Sequence, residues 1–139
     1  MTTGDVTASK GTLRHLDSGR IVFHPIDTSY ELHLVSDIDP ATIVTGKPVR
    51  GVVRVKAKKV YGVPSGGNFI QPILGTPRII QGRVVSLDER TIFVKTGGAV
   101  FVVELPTGLD TIDLHHGAIG ANALVNVVAL PGAMFERVG

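Results

Sequence analysis

The sequence predicts an all-β protein built from two diverged copies of one small module. Three observations carry this. Short segments rich in Val, Ile, Thr and Phe recur between turn signals. No segment sustains a helical period over eleven or more residues. The chain also matches itself at a spacing of 71 residues. Gly11, Leu16, Asp17, Ile21, Leu34, Asp39 and Gly46 meet Gly82, Leu87, Asp88, Ile92, Leu105, Asp110 and Gly117 without a gap. Average residue usage would give about two or three such identities by chance. Conservative pairs such as Leu13 with Val84 and Tyr30 with Phe101 fill the intervals.

The elements follow in order. In the second copy, residues 83–86 form a strand and Leu87-Asp88-Glu89-Arg90 a polar turn. Residues 91–95 form the next strand. Gly97-Gly98 then marks a tight hairpin, because glycine accepts the positive φ such turns require. Residues 100–105 form the third strand. The first copy repeats the plan at 12–15, 20–24 and 30–35, with Ile26-Asp27-Thr28-Ser29 as its turn. A less regular stretch follows in each copy, at 37–46 and 108–117, with room for one turn of helix. The fourth strand is expected at 49–60 and 121–130.

These elements divide the chain into a first β-module at 1–60, a connector at 61–81 and a second β-module at 82–139. The connector is rich in Gly and Pro, but it also carries Phe69, Ile70, Ile73, Leu74, Ile79 and Ile80. Flexible linkers are polar. This connector is therefore expected to be packed, joining the two modules into one compact unit.

A glycine opening the first strand, a three-strand meander, an irregular connection with a late glycine and a long closing strand resemble the OB-type barrel. The second copy, from Gly82-Arg83-Val84-Val85 to Met134-Phe135-Glu136, is similar to the TOBE domains of transporter ATPases. Gly46-Lys47-Pro48-Val49 with 53–60 resembles the end of a molbindin module. The resemblance implies two tandem OB-like β-barrel modules, and for molbindins it implies molybdate binding at subunit interfaces. The family's Ser-Ala-Arg-Asn motif is replaced here by Thr7-Ala8-Ser9-Lys10, and nothing equivalent precedes Gly82. The fold can therefore be shared without the oxyanion function.

Composition narrows the function classes. The chain of 139 residues has no cysteine, which excludes disulfides, thiolate metal sites and cysteine nucleophiles. The polar N-terminus lacks the apolar stretch of a signal peptide, and no apolar run is long enough to span a bilayer, so a cytoplasmic location without membrane contact is expected. Net charge is +2. Residues 1–70 carry nine Lys/Arg and six Asp/Glu, whereas residues 71–139 carry five and six, so the positive excess lies in the first half.

That excess concentrates in Arg54, Lys56, Lys58 and Lys59. On a strand, alternate side chains share a face. Arg54, Lys56 and Lys58 then line one face about 6.5–7 Å apart, while Val53, Val55 and Ala57 point inward. Such a row suits a phosphate backbone or an acidic surface; its plainer readings are a solvated strand face, or lysines that protect a sheet edge from aggregation. The 71-residue spacing puts Val125, Val127 and Ala129 at the matching positions. A strand apolar on both faces needs a second cover, supplied by the connector, the other copy or another subunit. Val125 and Val127 are therefore the candidate self-association residues, and a homo-oligomer is expected.

His24, Glu31 and His33 are expected on one face of the first hairpin, and Asp113 with His115 and His116 forms a second loose group. Both are read as solvent-facing polar residues, and no metal or other cofactor is expected. No nucleophile elbow, P-loop or zinc-protease motif is present, and Asp17 and Asp88 sit in turns that aspartate caps. The expected function is non-catalytic: contact with an anionic partner, nucleic acid or an acidic surface, through the basic strand. A self-assembling structural role and small-oxyanion binding are the alternatives.

Overall fold

A computed structural model describes residues 8–88, 90–105, 112–113 and 120–138. Among them are twelve strands: β1 (Ser9–Asp17), β2 (Arg20–Pro25), β3 (Glu31–Val35), β4 (Pro48–Gly62), β5 (Phe69–Gln71), β6 (Leu74–Gly75), β7 (Ile79–Leu87), β8 (Thr91–Thr96), β9 (Ala99–Glu104), β10 (Ile112–Asp113), β11 (Leu124–Ala129) and β12 (Met134–Val138). One 3-10 turn, Pro40–Thr42, is capped by Asp39, whose Oδ1 accepts from the Ala41 amide at 3.0 Å. The described residues contain no α-helix, so the all-β expectation is borne out. None of them forms a helix long and apolar enough to cross a membrane.

Turn chemistry sets the hairpins. Thr96 lies opposite Ala99, leaving Gly97-Gly98 as a two-residue loop, with Gly97 at φ +60°. Between β2 and β3 the chain uses side-chain bonding instead. The Thr28 hydroxyl donates to the Pro25 carbonyl at 2.8 Å and accepts from the Tyr30 amide at 3.3 Å. Asp27 takes the left-handed conformation there, at φ 60°.

All twelve strands join one sheet that closes on itself twice. β1, β2 and β3 form an antiparallel meander; β3 runs parallel to β12, β12 antiparallel to β4, and β4 antiparallel to β1. β7, β8 and β9 form a second meander; β9 runs parallel to β4, β4 antiparallel to β11, and β11 antiparallel to β7. The ring of N-terminal strands is thus completed by C-terminal β12, and the ring of C-terminal strands by N-terminal β4. Each half of the sequence lends the other its closing strand.

β4 is the common wall. Its start pairs with β1 and β12, its middle with β9 and its end with β10 and β11. β11 and β12 lie end to end along it, and residues 130–133 interrupt them. There the Leu130 amide donates to the Lys56 carbonyl at 2.8 Å. β4 is also irregular at this point. Ala57 faces Ala129 and Lys59 faces Val128, leaving Lys58 as the extra residue of a bulge.

One hydrophobic cluster runs through both rings and includes Leu32, Leu34 and Phe135 beside Val94, Phe101 and Val127. Phe135 stacks on Phe23 with ring centroids 4.8 Å apart. Gly51 makes room for it: a β-carbon there would collide with the Phe135 ring. Val125 and Val127 are fully buried within the chain. On the other side of β11, Asn126 donates to the Tyr61 hydroxyl at 2.8 Å, and the Gln81 amide nitrogen donates to the Gly67 carbonyl at 2.8 Å. The connector therefore covers part of the face that the sequence left open.

The 71-residue spacing holds through the first hairpins and then changes. Leu13 pairs with Phe23 and Val84 with Val94, and β1 and β7 each carry one bulge. Gly11, however, lies opposite Val49 and Gly82 opposite Val125, a spacing of 76 residues between the partners. Val125 thus takes the place opposite Gly82 that Val49 takes opposite Gly11, so the pairing registers do not set Arg54, Lys56 and Lys58 against Val125, Val127 and Ala129. β12 is also a strand that the sequence reading did not mark. Only Phe135 of its five residues is buried, which leaves too short an alternation to register.

Candidate functional site: basic clefts along the shared strand

On β4 the alternation reads as expected from 53 to 57. Val53, Val55 and Ala57 are buried, and Arg54, Lys56 and Lys58 are exposed. The bulge then separates the cations. Arg54 and Lys56 line a cleft of about 330 Å³ with Met134 and Glu104. Two carboxylates temper this side: Glu136 stands 3.9 Å from Arg54, and Glu104 lies opposite Lys56 in the parallel pairing with β9. Lys59 is drawn elsewhere, its ammonium 5.5 Å from the Tyr61 ring centroid, within cation–π range.

Lys58 faces a larger groove of about 1040 Å³ on the other side of Pro131 and Gly132. Arg20, His33 and Arg78 share that groove, and among the described residues no Asp or Glu lines it. The sheet explains why. Ala129 donates to the Arg78 carbonyl at 2.8 Å and lies opposite Ala57, so the start of β7 is brought next to the bulge. Arg20 is held by Asp17, whose Oδ1 accepts from Arg20 Nε at 3.0 Å. This hydrogen bond keeps the Asp17 carboxyl below the usual carboxylate range. Among the described residues no ion pair holds Lys58 or Arg78.

A third cleft, of about 590 Å³, opens at the far end of β4. Lys10, Lys47, Arg50 and Arg137 line it with Thr42 and Val138. Arg137 donates to the Thr42 hydroxyl at 3.4 Å. The sequence reading missed Arg78, Arg20 and His33 at the groove, and Lys10, Lys47, Arg50 and Arg137 here. Local patterning held no signal for either set, since both depend on strands distant in sequence becoming neighbours. The charge excess of residues 1–70 was the one available hint.

The histidine group is arranged differently from a metal centre. Val22 lies opposite His33 as expected, but Glu31 is taken by Arg14 at 2.7 Å. This hydrogen bond holds the Glu31 carboxyl below its usual range. Among the described residues no three His, Asp or Glu side chains gather to hold a metal ion. The group at His115 and His116 lies outside the described residues. Compared with known family models, curated proteins and solved structures, the chain has no match.

Proposed function

We propose that the chain is a duplicated pair of OB-like barrels that binds an anionic partner without catalysis. The ring order supports this reading. Each meander is closed by a strand parallel to its third member and by a fourth strand that returns to the first, which is the connectivity of OB-type barrels. The equivalent pairings of Leu13 with Phe23 and Val84 with Val94 favour duplication.

The observation that carries the binding reading is the groove at Lys58, where Lys58 of β4 and Arg78 just before β7 meet Arg20 of β2, and where among the described residues only Arg20 is paired with a carboxylate. Positive charge gathered in a concave surface focuses the field on an incoming anion. Arg54, Lys56 and Lys59 extend the basic surface along β4, though Glu104 and Glu136 offset the first two. The test is retention on a heparin column in a rising salt gradient. The protein should be held at low salt, and Lys58→Glu should elute earlier than Arg54→Glu. No retention at low salt would overturn the reading.

A second reading is favoured by the cleft that Lys10, Lys47, Arg50 and Arg137 line, because basic side chains gathered in one cleft match the charge of an oxyanion. Calorimetry with molybdate and sulfate tests it. Binding that weakens in Lys47→Ala supports it, and no heat with either anion removes it.

A further inference from the structure

The groove beside Lys58 has two chemical characters at once. Its lining is cationic at Lys58 and Arg78. It is aliphatic at Val35, Ile79, Leu130 and Pro131. Val35 and Leu130 are 40% and 38% exposed, so apolar surface there is still open to water. An occupant that covers this apolar lining gains from removing it.

A nucleic acid strand matches the cations but not the aliphatic lining. Binding of single strands draws on aromatic side chains against which bases stack. Among the described residues no Phe, Tyr or Trp lines this groove. A small anion matches neither its size nor its aliphatic lining. At about 1040 Å³ and open to solvent, the groove lies just above the roughly 300–1,000 Å³ typical of small-ligand sites. A polypeptide bearing both carboxylates and aliphatic side chains matches both.

We propose that the groove receives an extended acidic segment of a partner protein in which Asp or Glu alternates with aliphatic residues. In an extended segment alternate side chains point to opposite sides. One set then rests on Leu130 and Val35, and the carboxylates of the other, on the solvent side, lie within reach of the long exposed side chains of Lys58 and Arg78. Arg20, already held by Asp17, contributes less. This inference rests on the reading of an anionic partner and narrows it to protein.

The test uses the whole chain and fluorescence anisotropy at low salt with three labelled probes. These are a short peptide alternating Glu and Leu, one alternating Glu and Ser, and single-stranded oligo-dT. The Glu–Leu peptide should bind most tightly. Lys58→Glu with Arg78→Glu should weaken it roughly tenfold or more, since like charges then face each other. Leu130→Ser should weaken the Glu–Leu peptide and leave the Glu–Ser peptide unchanged, which a general loss of folding would not do. If oligo-dT binds and neither peptide does, the inference fails while the anionic reading stands. If no probe binds, both fail. If the Glu–Leu peptide binds and the groove variants leave it unchanged, the groove is not the site and the inference is overturned.

Discussion

The Leu130 amide donates to the Lys56 carbonyl at 2.8 Å, and this bond marks where the basic strand divides. On one side Arg54 and Lys56 share a cleft with Glu104; on the other, the bulged Lys58 lines with Arg78 a groove that no described Asp or Glu lines. A row of cations evenly spaced in sequence is therefore two surfaces of different charge.

That division predicts unequal substitutions. Lys58→Ala should reduce binding to a polyanion more than Lys56→Ala, because Glu104 already offsets Lys56. Neither should shift the melting temperature much, since exposed substitutions usually stay within about 0.5 kcal/mol. Column retention and thermal melts of both variants check this. Equal losses would show that the carboxylates do not matter.

Val125→Asp should destabilise the chain by roughly 4 kcal/mol or more, as it would place an unpaired charge at a fully buried site. The loss should appear as a lower melting temperature at every protein concentration. A concentration-dependent loss, with a change in size by light scattering, would instead assign Val125 to contact between subunits.

Phe135→Ala should cost about 3–5 kcal/mol. Phe135 packs on Phe23 and lies in the strand that closes the ring of β1, β2 and β3. Hydrogen exchange should speed first in β3, whose pairing with β12 runs from Val35 to Met134. Uniform loss of protection in both rings would mean that the shared core opens as one unit.

Acid should weaken the contact between β1 and β3 made by Arg14 and Glu31. Glu31 titrates below its usual range when folded, so its contribution is present above the ordinary glutamate range. It is lost as pH falls through the lowered value. Glu31→Gln should flatten this part of the stability profile between neutral and acid pH. An unchanged profile would show that the exposed pair contributes nothing measurable.

The strands were legible where the pattern is local. Gly97-Gly98 between β-branched runs marked the β8–β9 hairpin, and the alternation of Val53 to Ala57 gave their burial correctly. What was hidden depends on partners far away in the chain. Lys58 reads as one more member of an alternating row, and only its pairing neighbours Ala129 and Val128 make it a bulge. Arg78 reads as part of a connector, and only the bond from Ala129 brings it to Lys58. The exchange of β4 and β12 between the rings leaves no mark on either strand's own sequence.

The most direct test of the central claim is the dependence of heparin affinity on salt, measured for the unmodified protein and for Lys58→Ala with Arg78→Ala. Each cation that neutralises an anionic group of a polyelectrolyte such as duplex DNA adds about 0.9 to the slope of log affinity against log salt. The account predicts binding at low salt with a steep slope, and a slope shallower by about 1–2 units in the double variant. Binding with the same slope in both proteins, or none at low salt, would contradict it.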